Sequence, residues 1–135
     1  MSKKYGYIAS IGVDTSGVVN ALKDVEENTK NISARIRAIN EGLKFDSKSP
    51  ELLSQKYEAI SEQVDNTKKK LEALKSVEQQ AEAARQRGDM SKEQYAAYRR
   101  AIAETENKLK LYNVQLANTK VQLEQAQEAT DKADE

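Results

Sequence analysis

Alternating steps of three and four residues between apolar positions run through most of the chain, and no other feature constrains its fold as much. The first series is Val18, Leu22, Val25, Thr29, Ile32, Ile36, Ile39 and Leu43, with one Thr among aliphatic residues. Leu53, Tyr57, Ile60, Val64, Thr67, Leu71 and Leu74 keep the same rhythm. So do Tyr95, Tyr98, Ile102, Thr105, Leu109, Tyr112, Leu116, Thr119, Leu123 and Ala126. A mean step of about 3.5 residues sets such side chains in one stripe along an α-helix, the seam of a coiled coil. Three seams predict an all-α fold: a long antiparallel helical hairpin (a coiled coil) with a preceding helix. The seam of that first helix needs a partner. It can fold back to make a three-helix bundle or pair with another chain, and the sequence leaves both open.

The boundaries come from local chemistry. In "YGYIASIGVD", Tyr5, Tyr7, Ala9, Ile11 and Val13 alternate with Gly6, Ile8, Ser10 and Gly12, which predicts a short N-terminal β-strand or arm over 1–13. No second strand candidate follows, so this strand needs a partner chain. The first helix is predicted over 14–42, with Asp14, Thr15 or Ser16 as N-cap and a break at Gly42. A linker covers 43–49. Ser49 is a good N-cap and Pro50 suits the first helical position, where its missing N–H costs nothing, so the second helix is predicted over 50–87. After Leu74 its rhythm skips to Val77, Ala81 and Ala84, a local overwinding. Gly88 stands where a helix C-terminal glycine belongs. Ser91 and Gln94 form a capping box, and Met90 with Tyr95 forms a hydrophobic staple. These residues predict a turn over 88–91 and a third helix over 92–130, followed by an acidic tail over 131–135.

Composition narrows the function classes. Lys+Arg and Asp+Glu are 22 each, so a zero net charge gives no overall pull on nucleic acid or an anionic membrane. The absence of Cys excludes disulfides and thiolate chemistry, and the absence of His removes the usual general base and commonest metal ligand. No apolar run reaches the roughly 20 residues a membrane helix needs. The carboxylates are dispersed, and no phosphate loop, zinc spacing or calcium loop occurs. The chain reads as a structural or interaction protein and not as an enzyme, with no catalytic, cofactor-binding or metal-binding residues. Its partners are then other copies of itself, with no small-molecule substrate, specific nucleic acid or membrane.

Four patterns invite sharper readings. Arg87-Gly88-Asp89 is a tripeptide read by adhesion receptors, but capping chemistry already accounts for these residues. Lys68-Lys69-Lys70 could touch phosphates, yet Asp65 and Glu72 lie four residues from Lys69 and Lys68 and make it an ordinary solvated face. Tyr57, Tyr95, Tyr98 and Tyr112 lie on the seams, which makes them core residues before they are a stacking platform for bases. Thr29, Thr67, Thr105 and Thr119 are polar seam positions that either fix register or weaken the seam. The residues expected to carry interaction are Val18, Leu22, Val25, Ile32, Ile36, Ile39, Leu53, Tyr57, Ile60, Val64, Leu71, Leu74, Tyr95, Tyr98, Ile102, Leu109, Tyr112, Leu116 and Leu123, with Gly88, Met90, Ser91 and Gln94 forming the turn.

The order of these features resembles the N-terminal region of tail tape-measure proteins from phages of Gram-positive bacteria. The matching stretches are the Asp-Thr-Ser-Gly entry at residues 14–17, Leu43-Lys44-Phe45-Asp46, Glu51-Leu52-Leu53, Asn66 to Lys75, and Gly88 to Tyr95. In the last, Asp89 and Met90 stand where the family commonly has Glu and Ile. Members of that family run to many hundreds of residues, so the resemblance implies that these 135 residues are a fragment or a small relative. It also implies a molecular ruler that sets tail-tube length, with tail-tube and tail-chaperone proteins as partners. Its location would be the bacterial cytoplasm during assembly and then the virion tail. A generic coiled-coil adaptor unrelated to phage is the alternative.

Overall fold

The computed structural model describes residues 3–133. In chain order these form a 3-10 turn Lys3–Tyr5, α1 (Gly6–Ala9), α2 (Ser16–Phe45), α3 (Pro50–Lys75), α4 (Glu78–Arg87) and α5 (Lys92–Ala133). The all-α class holds, and the helices pack on one another within two compact units. Residues 1, 2, 134 and 135, the ends of the expected arm and acidic tail, lie outside the described residues.

The expected strand is replaced by helix. Tyr5, Ile8 and Ile11 are three residues apart, so a helical turn brings them to one side, and Ile8 and Ile11 are fully buried. An alternating strand would set Ile8 and Ile11 on opposite faces and leave its backbone unpaired. Here the segment bonds to itself: the Ser10 N–H donates to Gly6 O at 3.0 Å and the Ile11 N–H to Ile8 O at 3.1 Å. Gly12, at φ 85°, then reverses the chain toward α2.

Other boundaries move for identifiable reasons. Asp14 Oδ1 takes the Ser16 N–H at 3.1 Å, and Thr15 O accepts the first helical bond from Val19 at 2.9 Å, so α2 begins at Ser16. Gly42 does not break α2, which continues to Phe45. A Cβ at position 42 would stand 3.1 Å from Leu52 Cδ1, so this glycine admits the side chain of the next helix. Ser49 caps α3 as expected, with its Oγ accepting the Leu52 N–H at 3.2 Å. The second predicted helix is two helices. At the skip after Leu74, Ser76 turns back on α3, its Oγ donating to Ala73 O at 2.6 Å, and α4 restarts after Val77.

The chain divides into two compact units, Met1–Glu27 with Thr67–Lys108, and Asn28–Asn66 with Leu109–Glu135. In the first, Ile8, Ile11, Leu22, Leu74, Val77, Ala81, Ala84, Met90, Tyr98 and Ile102 make one buried cluster. The first helix of the sequence thus folds back on the hairpin, since Leu22 of α2 shares that core with α3 and α5 residues. In the second unit, Ile32, Leu53, Ala59, Ile60, Val64 and Ala126 are buried together with Gln63, Asn66 and Thr119.

Burial on α3 follows two rows. The aliphatic seam is one. The other is Leu52, Lys56, Ala59, Gln63, Asn66, Lys70 and Ala73, again in steps of four and three, and every member is buried or half-buried. A helix enclosed on two sides needs two such rows. Replacing Ile11 with Ala should lower the unfolding free energy by about 2–5 kcal/mol through the cavity it leaves in the first unit. Denaturant titration checks this, and an unchanged midpoint would place the N-terminal segment off the core.

Candidate interaction surface

All nineteen sequence-predicted seam residues are buried or half-buried, so their stripes are used in packing the chain against itself. Val18, Leu22, Val25, Leu71, Leu74, Tyr95, Tyr98 and Ile102 belong to the first unit. Ile32, Ile36, Ile39, Leu53, Tyr57, Ile60, Val64, Leu109, Tyr112, Leu116 and Leu123 belong to the second.

The turn is built as its residues dictate. Gly88 adopts the left-handed conformation at φ 82°. The N–H groups of Asp89 and Met90 both reach Ala84 O, at 2.9 and 3.2 Å, which closes the end of α4. The Ser91 N–H donates to Gln94 Oε1 at 2.9 Å and the Gln94 N–H to Ser91 Oγ at 3.1 Å, a complete capping box. Met90 is buried and Tyr95 packs beside it against the same cluster. In the tripeptide at this turn, Arg87 Nε pairs with Asp89 Oδ2 at 2.9 Å, so its two charges engage each other.

Polar groups join α4 to α5. Arg99 pairs with Glu78 at 2.8 Å, the Tyr95 hydroxyl donates to Glu82 at 2.6 Å, and the Arg85 guanidinium lies 5.0 Å from the Tyr95 ring centre. The Tyr95 hydrogen bond holds the Glu82 carboxyl below its usual range and raises the Tyr95 hydroxyl. Glu78, Glu82, Tyr95 and Arg99, with Lys75 and Gln79, line an open cleft of about 520 Å³. Its charged groups already neutralise one another, and no cluster of metal-ligating side chains occurs among the described residues.

A second polar knot holds the N-terminal segment. Lys4 and Tyr5 both reach the Glu26 carboxylate, the tyrosine hydroxyl at 2.7 Å. Burial, and then that hydrogen bond, push Tyr5 up to about 12. Tyr98, whose hydroxyl donates to Leu74 O, is pushed up to about 12, chiefly by burial. Lys68 and Lys69 are exposed, but Lys70 is half-buried on the second row of α3. Burial and then Lys108 lower its pKa. The triplet is therefore not one uniform solvated face. Sequence reading missed this knot because its members lie on separate segments.

The seam threonines separate into two roles. Thr105 and Thr119 donate to carbonyls of their own helix, Ala101 O at 2.6 Å and Gln115 O at 2.8 Å. Thr29 instead accepts the Asn66 amide of α3 at 2.9 Å, and Asn28 approaches the same side chain.

What remains outward and apolar lies mainly on α5. Leu111, Val114 and Val121 are 53%, 58% and 50% exposed, and Phe45 at the end of α2 is 91% exposed. Leu111, Val114, Asn118 and Val121 follow steps of three, four and three, a second heptad row on the side of α5 away from its buried seam. The pattern was present in the sequence, hidden by the longer seam on the other face of the helix.

Gly88→Ala should cost about 1 kcal/mol, because a Cβ disfavours this φ. An equal denaturation midpoint would count against the left-handed turn. Tyrosines held protonated in the fold stabilise it fully below their unfolded pKa of about 10, and that stability is lost as pH rises toward about 12. Alkaline denaturation should therefore be shallower in the Tyr5→Phe/Tyr98→Phe double variant than in the parent. Equal slopes would remove these hydroxyls from the account.

The chain matches no protein-family model, no curated protein and no solved structure.

Proposed function

We propose that the chain is a structural element of a phage tail, of the tape-measure type its motifs resemble. The observation that carries this reading is where those motifs fall. The Gly88–Tyr95 stretch is the joint between α4 and α5, with each characteristic residue engaged in capping. Leu43 to Leu53 is the joint between α2 and α3. The link and the turn sit at the punctuation of the chain, whereas Asn66 to Lys75 lies within α3 on its seam, where resemblance among helices is cheap. The Asp-Thr-Ser-Gly entry also opens a helix here, but among the described residues no strand precedes it, so the reading leans on the link and the turn.

Physical character supports the same role. A ruler requires contour length per residue and lateral contacts along its sides. The 42 residues of α5 supply about 63 Å of helix contour. No helix among the described residues is long and apolar enough to cross a membrane. A helical adaptor outside any phage is the second reading, favoured by the exposed α5 row, which serves any helical partner equally well.

Mass spectrometry of purified tails from the strain encoding the chain should recover its peptides in the particles. An in-frame deletion within the gene should change tail length by electron microscopy. Particles lacking the peptides, or tails of unchanged length, would leave the adaptor reading in its place.

A further inference from the structure

We infer that the exposed row on α5 is the face by which two copies of this chain associate, their α5 helices antiparallel. The inference concerns the second unit alone and does not rest on a place in a phage tail.

The first observation is a contrast between two helices of that unit. The second row of α3, which includes the polar Gln63 and Asn66, is covered. The second row of α5, which offers Leu111, Val114 and Val121, is open. Aliphatic side chains at heptad spacing form a seam, and a seam half in water is what a partner helix fits.

Charge then selects the occupant. An antiparallel second copy sets Leu111 against Val121 and Val114 against Asn118, each layer occurring twice. One flank carries Lys110 and Glu124, two heptads apart with Ala117 between them, and both charged residues are exposed. The antiparallel arrangement brings Lys110 opposite Glu124 twice. A parallel copy would set Lys110 beside Gln115 and Glu124 beside Ala129, which gains nothing from charge. The row is thus complementary to itself in one orientation. Three half-exposed side chains make a footprint well below the roughly 800 Å² per partner of a standard interface, so the dimer is weak.

Sedimentation equilibrium from about 10 µM to about 1 mM brackets the Kd such a contact gives. The chain should pass from monomer toward dimer over that range. Val114→Glu, at an exposed position, should keep its helicity by circular dichroism and remain monomeric. Lys110→Glu should weaken the dimer, and adding Glu124→Lys should restore it. The chain has no Cys, so Leu111→Cys and Val121→Cys report orientation directly. Under mild oxidation the mixture should crosslink and each variant alone should not. A parent chain monomeric throughout, a dimer surviving Val114→Glu, or self-crosslinking of each variant alone would overturn the inference.

Discussion

The enclosure of α3 on two faces is the constraint from which the rest follows. Each unit packs against its own part of this helix, and a helix covered on two sides must supply two rows of side chains that water does not need to reach. One row is aliphatic and provides the hydrophobic driving force. The other is mixed, with Ala, Gln, Asn and the stem of Lys70, and depends on small size, hydrogen bonds and partial solvation to make its burial tolerable. Gly42 fits the same logic, since the approach of Leu52 leaves little space for a side chain there.

The aliphatic seams were legible because heptad spacing of Leu, Ile and Val has few competing explanations. The turn at Gly88 was legible for the same reason: left-handed glycine, capping box and staple each have a distinct signature, and all three fell within eight residues. The second row of α3 was not legible, because Gln63, Asn66 and Lys70 are residues that ordinarily face water. The heptad skip after Leu74 pointed to the right place but not to the outcome. Overwinding of a continuous helix and a true break look alike in sequence, and the break won once Ser76 could fold its hydroxyl back onto Ala73 O.

The N-terminal segment was misread by a competing period. Tyr, Ile and Val in alternation favour a strand when a neighbour exists to complete it. No neighbour was available, and a short helical turn satisfies its own backbone while directing two isoleucines into one core. The polar anchors on Glu26 lie some twenty residues away in the chain, a distance at which one sequence gives no pairing signal. The exposed row on α5 shows the opposite difficulty: its residues were plain, but the seam on the other face already explained the helix.

The Asn66–Thr29 contact has a consequence for sliding. A coiled-coil seam is nearly degenerate to a shift of one heptad, since each aliphatic side chain meets another of similar size. Moving α2 by seven residues past α3 would keep most of its aliphatic contacts. It would also bring Leu22 or Ile36 to the place of Thr29, leaving a buried amide against hydrocarbon, and it would part Arg35 from Glu62. An unsatisfied buried amide costs roughly 1–3 kcal/mol. Polar contacts thus act as the detent of an otherwise smooth rail, holding α2 and α3 at one of several nearly equivalent stops.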